Sequence, residues 1–139
     1  MSTNKLLITV AALGLCVTVA ACKTTPPPKP MGKALTGAEL QAQYASGKPI
    51  ASSGKSLISG NSWKIMRDGV NSQTIQVVGS DFTDTGTYRI ADNTICSKWV
   101  KIRDGAEVCS TVYVRPDGTY EAANAKGEKI AEFVIQPGG

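Results

Sequence analysis

The side chains that could do chemistry in this chain are four cysteines, 11 carboxylates and 15 basic groups, because its 139 residues include no histidine. Without histidine there is no Ser-His-Asp or Cys-His nucleophile, no common general base and no usual transition-metal ligand. Asp81 and Asp84 lie in a turn-rich stretch, where acids usually accept hydrogen bonds from turn backbone. There is no phosphate-binding glycine loop, Cys-x-x-Cys motif or nucleophile elbow. We therefore predict that the protein is not an enzyme and uses no metal and no cofactor.

The N-terminal residues have the pattern of an export signal. Lys5 precedes an apolar run at residues 6–21, a charged n-region followed by a hydrophobic h-region, and this run is shorter than the ~20 residues that span a bilayer. It ends in Val19-Ala20-Ala21-Cys22, which resembles the lipobox of bacterial lipoproteins, although Val19 stands where Leu is commoner. The resemblance implies a signal peptide at residues 1–21 and acylation of Cys22, for example with palmitate. Ordinary signal cleavage and a retained anchor are the alternatives.

Residues 22–34 are predicted to be a lipidated tether, because they contain four prolines and three lysines and little that could be buried. Such a stretch favours an extended, polyproline-like spacer. Lys23 follows the acylated position, where Asp often marks inner-membrane retention in enteric bacteria. By resemblance to that sorting rule, we expect a lipid anchor in the bacterial outer membrane with the domain facing the periplasm. A proline-rich ligand for a partner's groove is the alternative for this stretch.

The basic excess of +4 lies outside the predicted domain. Lys5 belongs to the signal and three lysines belong to the tether, so residues 35–139 hold 11 basic and 11 acidic residues. A neutral domain lacks the electrostatic footprint of nucleic-acid binding. We therefore expect no nucleic-acid partner, and we expect the tether lysines to meet anionic lipid head groups near the anchor.

Two cysteines are left for the domain once Cys16 is removed with the signal and Cys22 is acylated. In an oxidising compartment, Cys96 and Cys109 form a disulfide by default. Two thiols without histidine or further cysteine cannot complete a four-coordinate structural zinc site.

The disulfide conflicts with a second signal, the Asp104-Gly105 pair, which is typical of a two-residue hairpin turn. That turn would offset Cys96 and Cys109 by on the order of 13 Å along the strands, which is too far for a disulfide. We favour the disulfide and expect residues 97–108 to form a protruding loop or bulged ribbon.

This loop is our candidate contact surface, since it places one aromatic and three cationic side chains close together: Lys98, Trp99, Lys101 and Arg103. Such groups suit stacking on a sugar or pairing with phosphate or carboxylate, on a glycan, a lipid head group or an envelope protein. In the alternative, Trp99 covers one end of the core and the cations are solvated. We expect Trp63 to be a core residue.

Residues 35–47 carry the signals of a short amphipathic helix. Thr36 and Glu39 have the spacing of a capping box, and Leu35 and Leu40 have the spacing of a hydrophobic staple. Gly47 supplies a stop. About three turns are marginal alone in water, so we expect the helix to pack on a sheet.

After a Gly/Ser-rich passage through residue 62, short β-rich runs alternate with turn residues. The predicted strands are 62–67, 73–78, 86–91, 94–102, 107–115, 119–122 and 129–135. This spacing is typical of an antiparallel meander that forms a small barrel or a curved sheet. We therefore predict a mainly β chain with one short N-terminal helix, in a single helix-plus-β domain at residues 35–139.

A family resemblance covers this same domain. The Leu-Thr-Gly-x-Glu-Leu start at residues 35–40 and the Ile-Cys-x-x-Trp … Cys-x-x-Val-Tyr pattern at residues 95–113 resemble small exported proteobacterial proteins of unknown function. The resemblance implies export and fold and no activity, and its cysteines bracket the tryptophan loop. We expect an envelope lipoprotein with a binding or structural domain. The alternative, from general layout, is a periplasmic inhibitor of a protease or lysozyme.

Overall fold

Eight antiparallel strands close into a barrel, and a short ninth strand lies against its wall. The computed structural model describes residues 25–137 of the chain. Its elements are β1 (Lys33–Ala34), α1 (Gly37–Tyr44), β2 (Ile50–Ser56), β3 (Ser62–Arg67), β4 (Ser72–Val77), β5 (Thr83–Ala91), β6 (Thr94–Trp99), β7 (Val108–Val114), β8 (Tyr120–Ala123) and β9 (Lys129–Pro137). Each strand from β2 to β9 pairs with its neighbour in sequence, and β9 returns to β2. The predicted fold class, a mainly β chain forming a small antiparallel barrel, is confirmed.

Helix α1 closes one end of the barrel. The predicted capping box forms, because Thr36 Oγ1 accepts a hydrogen bond from Glu39 N, and Glu39 Oε2 accepts one from Thr36 N at 2.8 Å. The first helical amide, Gly37 N, donates to Asn93 Oδ1 in the β5–β6 turn at 2.7 Å. A Cβ on Gly37 would collide with the carbonyl oxygen of Asp92, so the close approach of helix and turn depends on this glycine. The helix spans only Gly37–Tyr44, shorter than the predicted 35–47.

The core lies inside the barrel beneath α1, where apolar side chains alternate with exposed ones along the strands. Its buried members are Leu35, Leu40, Tyr44, Ile50, Tyr88, Ile95, Val112 and Phe133. The two staple residues of the helix are both in this set. Trp63 is partly buried against it, with its ring 5.9 Å from that of Phe133. The expectation that Trp63 belongs to the core is confirmed.

Strand β2 lies in the Gly/Ser-rich passage, where we predicted no strand. Its inward positions alternate as Ile50, Ser52, Gly54 and Ser56, so most are too small to give a hydrophobic period-two signal. Gly54 pairs with Trp63 on one side and Phe133 on the other, and a Cβ there would collide with Phe133. Small residues in β2 therefore make room for the two aromatic rings across the wall.

The end of the proline-rich stretch lies along the outer wall of the barrel, and we call residues 28–34 the strap. Pro28 O accepts a hydrogen bond from Lys129 N, and Lys33–Ala34 pair with β7 as strand β1. Between these points, Met31 N and Gly32 N donate to Glu121 Oε2 at 2.8 and 2.9 Å. Among residues 25–137, hydrogen bonds to the barrel thus begin at Pro28, whereas we expected the domain to begin at residue 35.

None of the helices within residues 25–137 has the length and apolar character that crossing a membrane requires.

Candidate functional site

The predicted disulfide between Cys96 and Cys109 is confirmed, and it staples β6 to β7 on the outer face of the barrel. The two cysteines are direct partners in the strand register. Arg89 and Glu107 form an ion pair at 2.6 Å beside them, and the Glu107 carboxylate lies within 4.8 Å of both sulfurs. Because the sulfurs are bonded to each other, these three residues offer a metal ion no thiolate ligand.

The β6–β7 connection resolves the conflict between the hairpin turn and the disulfide. Strand β6 ends at Trp99, earlier than the predicted 102, and a tight turn at Ile102–Gly105 follows. Arg103 and Asp104 both have left-handed backbone, with φ of 55° and 53°. For residues with a Cβ this conformation costs free energy, and such strain is retained where surrounding contacts impose it.

Asp84 is the contact that holds this turn in place. Its side chain is buried, and its Oδ2 accepts hydrogen bonds from Lys101 N and Ile102 N, both at 2.9 Å. Burial by itself raises the pKa of Asp84, but the backbone N–H groups of Ile102, Lys101 and Thr85 outweigh it and lower the pKa below its usual value. Asp84 therefore serves turn geometry, as the sequence indicated, although the turn it serves is far away in sequence.

The four residues of the predicted contact surface do not share one outer face. Lys98 is exposed on the outer wall, while Trp99 is only 7% exposed and points into the barrel. Lys101 lies at the rim, with its Nζ 5.8 Å from the centre of the Phe82 ring. Arg103 also lies at the rim and lines the barrel interior together with Trp99. The expectation of an exposed tryptophan is therefore wrong, because Trp99 is buried, whereas Lys98, Lys101 and Arg103 are exposed to solvent.

The barrel is open at the end opposite α1, and we call this opening the mouth. It leads into a cavity of about 720 Å³ bordered by the β2–β3 and β4–β5 hairpins, the β6–β7 turn and the start of β9. Large apolar side chains stand exposed around it, with Ile58 70%, Val78 52% and Phe82 38% accessible. Exposed apolar side chains concentrated at a concave opening are typical of a ligand or partner site.

A smaller cavity of about 140 Å³, which we call the chamber, lies deeper in the barrel and shares Trp63, Trp99 and Arg103 with the mouth. A cavity of about 150 Å³ can hold a benzene-sized group. Its polar lining residues include Arg67, Arg103, Tyr44 and three serines, and none of the described residues that line the chamber or the mouth is acidic.

Arg67 is the functional candidate that the sequence reasoning missed. Its guanidinium lies 5.3 and 5.4 Å from the ring centres of Tyr44 and Tyr88, and its Nε donates to Gln73 Oε1 at 3.1 Å. Burial lowers the pKa of Arg67, and burial raises that of Tyr44 to about 12. Within residues 25–137 no carboxylate forms an ion pair with Arg67 or Arg103. The sequence did offer a signal for Arg67: it follows Trp63 and Ile65 at intervals of two residues along β3, so its side chain lies on the same inward face.

An outer groove and the predicted lipidation site lie apart from the mouth and the chamber. A groove of about 560 Å³ on the outer face of β3–β5, between Met66 and Val100, is open to solvent. The predicted lipidation site Cys22, with the signal peptide before it, lies outside the described residues.

The comparisons with known proteins add no relative: no protein-family model, curated protein or solved structure matches this chain.

Proposed function

We propose that the chain is a lipid-anchored lipoprotein of the bacterial outer membrane whose barrel is a non-catalytic binding domain for a small apolar or amphipathic molecule. The lipobox-like sequence before Cys22 supports the anchor. The observation that carries the binding function is the mouth, an apolar opening that continues into the interior of a barrel closed at its other end. Eight strands enclose a space that side chains can fill or that can hold one small ligand.

The side chains of the described residues favour binding over catalysis. The two fully buried carboxylates are both committed to structure, since Asp84 accepts from the β6–β7 turn and Glu121 accepts from the strap and from Lys129. Neither lines the chamber or the mouth. A cavity with apolar walls and a few polar groups is the usual form of a small-molecule site.

The strap supports an orientation in which the mouth faces the anchoring membrane. Its first contact, Pro28 with Lys129, lies next to Ile130 at the mouth, and it runs from there toward α1 at the closed end. The described chain therefore first bonds to the barrel at the mouth end, six residues after Cys22 in the sequence. Fully extended, six residues reach about 20 Å, which keeps the mouth close to the lipid surface.

The binding function is tested with N-phenyl-1-naphthylamine, a neutral dye whose emission rises in apolar surroundings. The proposed mature chain, residues 22–139 with Cys22→Ser, contains all the described strands and the described helix. We expect saturable one-to-one binding that Ala131→Phe weakens by tenfold or more, because Ala131 lines both chamber and mouth. Val134→Phe, on the outer face of the same strand, is the matched control and should leave binding unchanged. Absence of saturable binding, or equal effects of the two variants, would overturn the proposal.

The anchor and the orientation have their own test. Labelled palmitate should enter the full chain and not its Cys22→Ser variant. In lipidated chain on vesicles with dansyl-labelled head groups, energy transfer should be stronger from Phe82→Trp at the mouth than from Val70→Trp at the closed end. Phe82 and Val70 are both exposed apolar residues in turns, so the pair differs mainly in which end it reports. Equal transfer from the two ends contradicts the orientation, and unlabelled wild-type chain contradicts the anchor.

A further inference from the structure

We propose that the barrel selects an amphipathic anion, a molecule with one carboxylate or phosphate head bound by Arg103 and Arg67 in the chamber and one apolar tail in the mouth. This inference rests on the proposed binding function and names its ligand class. The chamber and the mouth adjoin each other and differ in the chemistry of their walls.

The chamber is cationic. Arg103, an exposed residue, borders it at the mouth side, and the half-buried Arg67 borders it beneath α1; the described residues contribute no acidic group to its lining. Charges inside proteins are normally paired, since removing a charge from water is costly. The positive charge of Arg67 is partly stabilised by the ring faces of Tyr44 and Tyr88. A bound carboxylate or phosphate would complete the neutralisation with charge-assisted hydrogen bonds.

The chamber also supplies neutral donors for an anion. Ser97 and Ser110 face it from β6 and β7, where Ser110 pairs with Ile95 and Ser97 with Val108. Ser52 faces it from β2 and donates only a long bond of 3.5 Å to Ile65 O. Hydroxyl groups can rotate to donate to an oxyanion, so the site can satisfy several of its oxygens.

The mouth suits the tail. Its walls are largely aliphatic and aromatic, and its volume of about 720 Å³ is within the usual range for small-molecule sites. A chain attached to a head in the chamber can reach the mouth past Trp99 and Arg103, which line both cavities. The backbone strain at Arg103 and Asp104, imposed through Asp84, sets the Arg103 side chain at the junction of the two cavities. Polar head and apolar tail are thus separated along one axis.

The test compares two ligands of the same chain length, decanoate and 1-decanol, which displace N-phenyl-1-naphthylamine from residues 22–139 with Cys22→Ser. Decanoate should bind at least tenfold more tightly than 1-decanol, as expected for a charge-assisted hydrogen bond. Arg103→Gln should remove about tenfold of the decanoate affinity and change 1-decanol affinity less than twofold. Arg103 forms no ion pair within the described chain, so its substitution should leave urea unfolding unchanged.

Lys98→Gln is the matched control, since it removes the same charge from the outer wall near the same turn. Its effect on decanoate should be less than twofold, which separates direct contact from a change in net charge. If decanoate binds no better than 1-decanol, or if both variants weaken it equally, the anion site is wrong while dye binding leaves the proposed function standing. If dye, alcohol and acid all fail to bind, the proposed function itself is wrong.

Discussion

Glu121→Gln should weaken the attachment of the strap to the barrel. Glu121 is fully buried on the outer wall, where its Oε2 accepts from two strap amides, Met31 N and Gly32 N. Its Oε1 accepts from Lys129 Nζ at 3.3 Å, and Lys129 is itself only 9% exposed. A glutamine can keep its oxygen toward the strap amides, but its NH₂ group then faces the ammonium of Lys129.

The expected cost is that of one charge-assisted hydrogen bond lost in a buried site, about 2–3 kcal/mol of unfolding free energy. The matched control is Glu132→Gln, because Glu132 is the other partner of Lys129, at 2.6 Å, and its side chain is 47% exposed. An exposed pair contributes little, so the control should lose less than about 1 kcal/mol. Urea unfolding followed by tryptophan fluorescence measures both.

The same contacts of Glu121 make the stability of the fold depend on pH. Burial alone raises the pKa of Glu121, but the N–H groups of Gly32 and Met31 and the ammonium of Lys129 outweigh it, so the pKa lies below the usual 4.5. Because the pKa of Glu121 is lower in the folded than in the unfolded chain, the carboxylate stabilises the fold at pH values above its unfolded pKa. This contribution is lost as the pH falls through the folded pKa. The difference between wild type and Glu121→Gln should therefore be full at neutral pH and vanish in acid.

Amide exchange localises the effect. In Glu121→Gln, the amides of Met31 and Gly32 should exchange faster, while those of β4, on another part of the barrel, should keep their protection. Equal stability losses in Glu121→Gln and Glu132→Gln, or unchanged exchange at the strap, would refute the role of Glu121 in holding the strap.

The disulfide and the Asp84 turn give two further predictions. Replacing Cys96 and Cys109 together by alanine should lower unfolding free energy by about 3 kcal/mol, the chain-entropy value for a 13-residue separation. Two alkylatable thiols in protein purified without reductant would contradict the bridge. Asp84→Asn should cost about 1–3 kcal/mol at neutral pH, because one amide then faces backbone N–H groups in a buried site. Since the pKa of Asp84 is lowered, that loss should shrink in acid, and a constant loss across pH would show that charge is not its cause.

Local chemistry made several features predictable. The capping box at Thr36 and Glu39 needs residues three apart, and it is present as expected. The disulfide between Cys96 and Cys109 followed from elimination among the cysteines rather than from turn type. Strand β3 matches its predicted range, Ser62–Arg67, because its alternation and flanking turns are local signals.

Features that depend on distant partners were not predictable. Strand β2 has small inward residues, so only its pairing with β3 and β9 makes it a strand. The strap was interpreted as solvated spacer because its partner, Glu121, is 90 residues away from Met31. Such long-range contacts leave no periodic pattern in the sequence of the residues involved.

The sequence by itself determined the alternation of strands and turns, the capped helix and the cysteine pair, since each depends on residues close together or on simple elimination. Only the tertiary structure decided which end of the barrel is open and on which side Trp99 and Arg103 lie. A side chain's direction along a strand changes with every residue, so closure of the ring assigns it. That closure placed Trp99, which was predicted to lie in an outer contact loop, on the inner wall of a cavity.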